Sequence, residues 1–253
     1  MSIDYNALAE SYDLTRTANI SIIHLFAAEL PLDGKTILDF GCGTGNFALA
    51  LKALTSAEVY GVEPSEGMRE KALAKGLDAR PGDHSSIPFA DAFFDFVYMT
   101  DVIHHVPDLS MMFAAFGRVL KPGGLVCILT ESHRQLETRF WIKHFPTAVA
   151  AEKKRYPDIP DIIQAAQTAG LKEHKVITTD ADSEFTISQA FVTLAENSCR
   201  ILRRKTYEHH LYQYAHASGM ERSARRRRLG DHRKQSGRQG SCKYRFYCLR
   251  QGR

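Results

Sequence analysis

Apolar residues along this chain gather in short runs that are separated by longer stretches with helical spacing. The runs lie near residues 36–40, 58–62, 77–80, 94–99 and 124–130. Short apolar runs that alternate with helices predict parallel strands covered by helices on both faces. After residue 170, two further runs at 173–179 and 185–194 follow each other with no helix between them, which predicts an antiparallel hairpin. The expected fold class is therefore α/β.

The first run leads directly into three glycines spaced two apart, Gly41, Gly43 and Gly45. Glycine has no Cβ, so it adopts positive φ easily and lets backbone N–H groups approach a bound molecule. A helix is predicted over residues 46–54, and its partly positive N-terminus would point at the same place. This turn is therefore a candidate ligand site.

An acidic residue, Glu63, ends the second apolar run, Val59-Tyr60-Gly61-Val62. A carboxylate at the tip of the second strand of such a sheet is well placed to accept hydrogen bonds from both hydroxyls of a ribose. The glycine turn and Glu63 together predict an adenosine-containing cofactor. Glu63 as an ordinary solvated loop carboxylate is the alternative.

The spacing of the glycines distinguishes between adenosine cofactors. Dinucleotide enzymes use G-x-G-x-x-G, whereas this turn is G-x-G-x-G and Asp39 precedes it by two residues. A carboxylate beside the turn would repel a pyrophosphate and attract an ammonium group. S-adenosyl-L-methionine carries an ammonium and a sulfonium against a single carboxylate, so it is the cofactor that the turn favours over a dinucleotide.

Further blocks follow in order along the chain and carry a family resemblance. They are Tyr5-Asn6, residues 9–13, Gly82-Asp83 before Ile87-Pro88-Phe89, residues 93–99, residues 102–106 and residues 118–124. Together with the glycine turn, they resemble the class I S-adenosylmethionine-dependent methyltransferases, in the subgroup related to quinone-biosynthesis and arsenite methyltransferases. The resemblance covers roughly residues 1–198.

This resemblance implies a fold and a set of cofactor contacts. The fold is a Rossmann-like doubly wound sheet, mostly parallel, with a C-terminal antiparallel hairpin. The segment after the fifth strand, residues 132–157, corresponds to a substrate lid, although its aromatic residues could instead be the core face of a helix. The implied cofactor contacts are Asp39 with the backbone of Gly41, Gly43 and Gly45 for the methionine part, Glu63 for the ribose, Asp83 and His84 for the adenine, and Tyr12 as a cap. Asp83 could instead merely cap the turn that follows it.

The catalytic residues stay unknown at this level. Methyl transfer from a sulfonium requires mainly alignment of the reacting groups and exclusion of water, so a general base is optional. His104 and His105 follow the fourth strand, at the carboxyl edge where ligands bind, and are the candidates for that base. Asp101 and these histidines lack a further spaced ligand, so no metal site is predicted.

Composition predicts a soluble protein with one main domain. The chain has 253 residues, of which 44% are apolar, enough to bury a substantial core. No run approaches the roughly 18 apolar residues of a membrane span, and the polar first residues lack a secretory signal, so the expected location is the cytoplasm. The five cysteines are scattered and include no C-x-x-C pair, so no disulfide framework is expected.

The charge is divided sharply along the chain. Residues 1–198 contain 17 Lys and Arg against 26 Asp and Glu, whereas residues 199–253 contain 16 against 3. These counts correspond to net charges of −9 and +13, which sum to the +4 of the whole chain. By composition, residues 199–253 form a basic tail without regular structure. Residues 1–198 would then form the methyltransferase domain.

The predicted function is transfer of a methyl group from S-adenosylmethionine to a small organic acceptor, by an enzyme with no membrane span. Two explanations of the basic tail compete. It could bind RNA through its arginines and tyrosines, which would make the chain an RNA methyltransferase. Alternatively, the tail could come from an altered reading frame, and the chain could then be an S-adenosylmethionine-binding protein without a complete acceptor pocket.

Overall fold

Seven strands form one sheet in the computed structural model, which describes residues 4–16, 18–138, 146–182 and 241–251. The strand order within these residues is β3-β2-β1-β4-β5-β7-β6. The strands are β1 (Thr36–Phe40), β2 (Glu58–Val62), β3 (Asp78–Arg80), β4 (Phe94–Thr100), β5 (Leu120–Thr130), β6 (Leu171–Asp182) and β7 (Ser241–Gln251).

Helices follow β1, β2, β4 and β5, as the alternation in the sequence predicts, whereas no helix lies between β3 and β4. Asp108 and Asp158 begin two of them by accepting backbone N–H groups of the first turn, a common way to satisfy a helix N-terminus. The helices are α1 (Tyr5–Thr15), α2 (Ile20–Glu29), α3 (Asn46–Leu54), α4 (Glu66–Ala74), α5 (Leu109–Val119), α6 (His133–Leu136), α7 (Pro146–Arg155) and α8 (Ile159–Thr168), with a single 3₁₀ turn at Ile103–His105. No helix within the described residues is long and apolar enough to cross a membrane.

The first five strands pair in parallel, and both of their faces are covered. Ile37 and Leu38 in β1 are both fully buried, but they pack into different hydrophobic clusters because successive strand residues point to opposite faces. Phe26 of α2 lies in the cluster of Ile37, and Phe113 of α5 lies in that of Leu38. The predicted α/β fold with a mostly parallel sheet is therefore confirmed.

The order of the strands creates a cleft at the carboxyl ends of β1 and β4. From β1 the chain continues outward to β2 and β3, and it then returns to β4 and β5 on the other side of β1. The connections after β1 and β4 therefore leave in opposite directions, and such a switch point is where ligands bind in open α/β sheets. The glycine turn follows β1, so the fold places it at this cleft.

The antiparallel end of the sheet differs from the sequence prediction. Strand β7 pairs with both β5 and β6 in antiparallel orientation. The predicted second strand of the hairpin, residues 185–194, lies outside the described residues. Residues 241–251 belong to the stretch for which no regular structure was expected, so that expectation is wrong for these residues. Residues 199–240 lie outside the described residues.

The local sequence of β7 explains the error. Small or aromatic residues occupy every second position at Cys242, Tyr244, Phe246 and Cys248, the period of a strand with two different faces. The high arginine content of residues 199–253 as a whole hid this short alternation. Near the end of β7, Leu249 is buried in the core and the Gln251 side chain donates a hydrogen bond to the carbonyl of Gly117, at 2.7 Å.

We expect Leu249→Ala to lower the free energy of unfolding of the full chain by about 2–5 kcal/mol, because a buried leucine would be replaced by a cavity. Leu249 is 1% exposed. Lys172→Ala, at an exposed position of the neighbouring strand β6, serves as the control and should change the free energy of unfolding by less than about 0.5 kcal/mol. Denaturant unfolding measures both values. Equally small losses would contradict the place of β7 in the sheet.

Candidate cofactor site

The glycine turn joins β1 to α3 and is tied to the end of β2. The backbone N–H groups of Gly41 and Cys42 both donate to the carbonyl of Val62, at 2.8 and 3.1 Å. Gly41, Gly43 and Gly45 have φ values of +75°, +54° and +80°, a region that other L-residues rarely adopt. The backbone path of the turn therefore depends on glycine, as predicted from the sequence.

Gly41 and Gly43 meet different surroundings. A Cβ atom on Gly41 would lie 2.6 Å from a methyl group of Val102, in the loop after β4. A Cβ atom on Gly43 would meet no heavy atom of the described residues within 4 Å. Gly41 thus permits close packing between the two loops, while Gly43 has open space beside it through which a ligand can approach the backbone.

Glu63 contacts the glycine turn directly. Its Oε2 accepts the N–H of Gly43 and its Oε1 accepts the N–H of Ser65, both at 2.9 Å. Burial raises the pKa of Glu63, and the two backbone hydrogen bonds oppose this increase. Each carboxylate oxygen can accept a second hydrogen bond. The side chain is therefore fixed in orientation and retains the capacity to accept two ribose hydroxyls.

Asp39 lies beneath the same turn and is 1% exposed. Burial raises its pKa to about 7, the nearby Tyr98 hydroxyl lowers it in part, and the negative charge of Glu63 raises it further. The Tyr98 hydroxyl is close, yet neither it nor Oδ2 of Asp39 makes a hydrogen bond within the described residues. A buried carboxylate oxygen without a donor suits the ammonium group of a methionine moiety.

Asp83 and His84 lie at the far end of β3, in the segment expected to contact adenine. The Asp83 carboxylate accepts the backbone N–H groups of Ser85 and Ser86 and the Ser85 hydroxyl, and these bonds lower its pKa. All three bonds end on Oδ1. Asp83 thus caps its own turn, the alternative noted from the sequence, while no hydrogen bond within the described residues uses Oδ2. His84 is half-buried next to it.

Helix α1 crosses from α4 to the glycine turn. At its start, the Asn6 side chain accepts hydrogen bonds from the Ser65 hydroxyl and the Gly67 N–H. Near its end, Asp13 pairs with Lys75 at 2.7 Å and also accepts a hydrogen bond from Thr44. These anchors hold the helix beside the cofactor cleft.

Tyr12 lies in the same helix and packs in a small apolar cluster with Leu8 and Met68. Its position near the cleft fits the expected cap, whose contact with a cofactor stays a prediction. Asn6 and Asp13 lie in the blocks that carry the family resemblance, but no role was predicted for their side chains. Their partners are 31 to 62 residues away along the chain, so no local pattern could indicate these contacts.

His104 and His105 form an aromatic group with residues of two other elements. His104 stacks on Tyr156 with ring centroids 4.4 Å apart, and Nε2 of His105 lies 2.8 Å from the Tyr5 hydroxyl. Partial burial, and secondly the positive charge of Arg155, lower the pKa of His105 to about 4. A base with so low a pKa is inefficient near neutrality. The geometry therefore favours His105 as a shaping residue of the loop over a general base.

Two arginines outside the sequence prediction hold the segment that follows Asp83. Arg118 of α5 donates to the carbonyls of Ile87 and Phe89, at 2.6 and 2.8 Å. Arg80 of β3 lies over the Phe89 ring, 4.1 Å from its centroid. They fix the path of the loop that bears Asp83. Arg118 lies in a block that resembles the family, but its contacts depend on tertiary packing.

Comparisons with known proteins agree with this site. Residues 38–128 match the family model described as a methyltransferase domain. A demethylmenaquinone methyltransferase of Staphylococcus aureus is 38% identical over 110 residues, which are 41% of this chain and 46% of that protein. A solved SAM-dependent methyltransferase of Thermotoga maritima is 28% identical, with a TM-score of 0.55, over 72% of this chain and 85% of that one.

The same fold also occurs in a protein named for another reaction. The crystal structure of the 4+2 cyclase SpnF gives a TM-score of 0.65 at 20% identity, covering 92% of this chain and 80% of that one. At this identity the likeness concerns the fold alone.

Residues 38–128 therefore match a methyltransferase domain, and the fold and the glycine turn with its two acids agree with that match. The chain spans less than half the length of the curated relatives that it matches first, 27% and 46% for the first two. The activity of the whole protein is therefore a matter for proposal.

We expect Gly41→Ala to destabilise the protein by at least about 1 kcal/mol more than Gly34→Ala. Both glycines have positive φ, at +75° and +67°, so both substitutions incur the same backbone strain. Only at Gly41 does the added methyl group collide with Val102, and overpacking of this kind typically costs about 1–3 kcal/mol. Thermal unfolding of the two variants provides the measurement. Equal losses would show that the loops after β1 and β4 are not packed as described.

Proposed function

We propose that this protein transfers a methyl group from S-adenosyl-L-methionine to a small organic acceptor. The observation that carries the proposal is the direct contact between Glu63 and the backbone of the glycine turn, beside the buried Asp39. This arrangement offers acceptors for ribose hydroxyls and a negative group for an ammonium within one cleft. The methyltransferase relatives support the reaction class, and the acceptor stays undefined.

Each residue of the site has a proposed role toward the cofactor. Asp39 and the turn backbone bind the methionine part, and Glu63 binds the ribose. Asp83, through Oδ2, and His84 contact the adenine, and Tyr12 covers the cofactor from α1. The bound cofactor supplies an electrophilic methyl group on its sulfonium. The residues of the chain then align the acceptor with that group and exclude water.

The acceptor side of the cleft is proposed to lie along the aromatic group formed by Tyr5, His104, His105 and Tyr156. These residues come from α1, the turn after β4 and the connection between α7 and α8, so they converge from three elements. Stacked rings provide an apolar surface with polar edges. Such a surface suits a small organic molecule better than a phosphate backbone.

A second candidate is a cofactor-binding protein that catalyses no methyl transfer. The 4+2 cyclase supports this candidate, because a protein with this fold is named for a reaction other than methyl transfer. Incubation with methyl-labelled S-adenosylmethionine and a metabolite extract separates the two. Label that reaches a small molecule supports the methyltransferase, and cofactor binding without label transfer supports the alternative.

An RNA methyltransferase is the remaining alternative, and it depends on the basic residues 199–253. Of these, the structure describes only residues 241–251, in the sheet. If the protein acts on RNA, its affinity for RNA should fall steeply as the salt concentration rises. Truncation is an unsuitable test because it would remove β7. Salt-dependent binding of the full chain to single-stranded RNA is the appropriate measurement.

Glu63→Gln is expected to weaken S-adenosylmethionine binding by about tenfold or more, because loss of the charge removes strong hydrogen bonds to the ribose, each worth about 1.5–3 kcal/mol. Glu58→Gln is the matched control, since Glu58 is exposed at the opposite end of β2. Calorimetric titration gives both affinities. Equal affinities of the two variants would show that Glu63 does not bind the cofactor. Absence of binding to the unchanged protein would refute the proposed function.

A further inference from the structure

Asp39 has surroundings that on balance disfavour a negative charge, because burial and the charge of Glu63 outweigh the effect of the Tyr98 hydroxyl. In the sheet it is in register with Gly61 of β2 and Tyr98 of β4, and neighbours in register point to the same face. Gly61 has no side chain, and Tyr98 is fully buried. Oδ2 of Asp39 and the Tyr98 hydroxyl are both buried without a hydrogen bond among the described residues. This is a dry site for a carboxylate.

The two side chains that shift the pKa of Asp39 are a hydroxyl and a carboxylate, and neither is a cation. Tyr98 faces it from β4, the Cys42 thiol from the glycine turn, and Glu63 from the end of β2. Burial raises the pKa values of the Cys42 thiol and the Tyr98 hydroxyl, and the charge of Asp39 raises both further. Arg69 donates a hydrogen bond to the backbone carbonyl of Glu63 at 3.1 Å, and its positive charge lowers the pKa values of Glu63 and Cys42. It does not count among the groups that shift the pKa of Asp39.

From this geometry we propose that Asp39 holds a proton in the cofactor-free protein, with Tyr98 as its positioning residue, and releases that proton to solvent when the cationic cofactor binds. The inference rests on the proposed function, because it requires a cofactor with an ammonium group. No covalent bond other than the O–H bond of Asp39 is broken. The proton leaves to buffer, and the carboxylate left behind pairs with the incoming positive charge.

The exchange follows from electrostatics in a site without water. A buried carboxylate is costly when one of its oxygens accepts no hydrogen bond and no cation lies beside it, whereas its protonated form is neutral. The pKa of Asp39, raised to about 7 by burial, agrees with this balance. An ammonium group brought next to the carboxylate favours ionisation and lowers that pKa. Cofactor binding and proton release are then linked, so binding strengthens as the pH rises toward about 7.

Tyr98 sets the pH at which this exchange occurs. Its hydroxyl lowers the pKa of Asp39 because a nearby O–H dipole favours the ionised carboxylate. Tyr98→Phe retains the ring, which packs against Phe26 and Phe47, and removes only the hydroxyl. In this variant, Asp39 should keep its proton to a higher pH, and the pH dependence of cofactor binding should move upward while the fold is kept.

The first test needs no ligand. Asp39 titrates near 3.8 when unfolded and near 7 when folded, so the folded protein binds more protons between these values. Stability therefore falls as the pH rises through this range and stays reduced above it. Asparagine cannot ionise. Relative to the unchanged protein, Asp39→Asn should gain several degrees in Tm between about pH 5.5 and about pH 8. Asp161→Asn, at an exposed position, should show no such gain.

The second test counts protons during binding. Calorimetric titration of S-adenosylmethionine at about pH 6, in buffers of different ionisation enthalpy, should detect release of about one proton by the unchanged protein and by Glu63→Gln. Asp39→Asn should release none. Subtracting the number of protons released by Asp39→Asn from that of the unchanged protein also removes any contribution from the amino group of the cofactor. Affinity of the unchanged protein should fall up to about tenfold for each pH unit below about 7.

Each outcome decides a different claim. Release of a proton by Asp39→Asn, or a Tm difference between Asp39→Asn and the unchanged protein that does not vary with pH, would overturn the inference. If Asp39→Asn does not fold, an unshifted pH profile of Tyr98→Phe would overturn it equally. No binding of S-adenosylmethionine by the unchanged protein would overturn the proposed function. The Tm comparison would still establish whether Asp39 holds a proton.

Discussion

The site depends on the connection between the end of β2 and the glycine turn after β1. The Val62 carbonyl accepts two backbone N–H groups of the turn, and the carboxylate of the next residue, Glu63, accepts a third from Gly43. Three glycines of the turn have positive φ, so replacing any of them by another residue would strain the backbone along this path. Because the carbonyl and the carboxylate belong to consecutive residues, the ribose acceptor and the backbone cradle are built as one unit.

Other elements act on this unit from outside. Helix α1 is anchored at both ends, by Asn6 near α4 and by Asp13 near the turn, while Val102 packs against Gly41 from the loop after β4. Beneath the turn, Asp39 and Tyr98 are adjacent in register. The cleft is thus bounded by side chains that are far apart in sequence, and parallel strand pairing brings their elements to one edge of the sheet.

Much of this arrangement follows from local sequence. The bounds of β1 and α3 are as predicted, because an apolar run, three glycines and a helical pattern follow in direct succession. Strand β5 begins at Leu120, earlier than predicted, because Leu120 already pairs with Phe94. The Pro-Gly-Gly segment is accommodated by a shift in register between Phe94 and Phe96. Strand β7 was missed since composition was averaged over too long a stretch. The role of Tyr98 could not be predicted, because its run has the composition of an ordinary core strand and only the register places it next to Asp39.

A crystal structure of the protein with S-adenosylhomocysteine would test the central claim most directly. The account predicts the ribose hydroxyls within hydrogen-bonding distance of the two Glu63 oxygens, the amino group beside Asp39, and the methionine chain along the backbone of Gly41 and Gly43. A ligand bound elsewhere, or one in this cleft whose ribose does not contact Glu63, would contradict it.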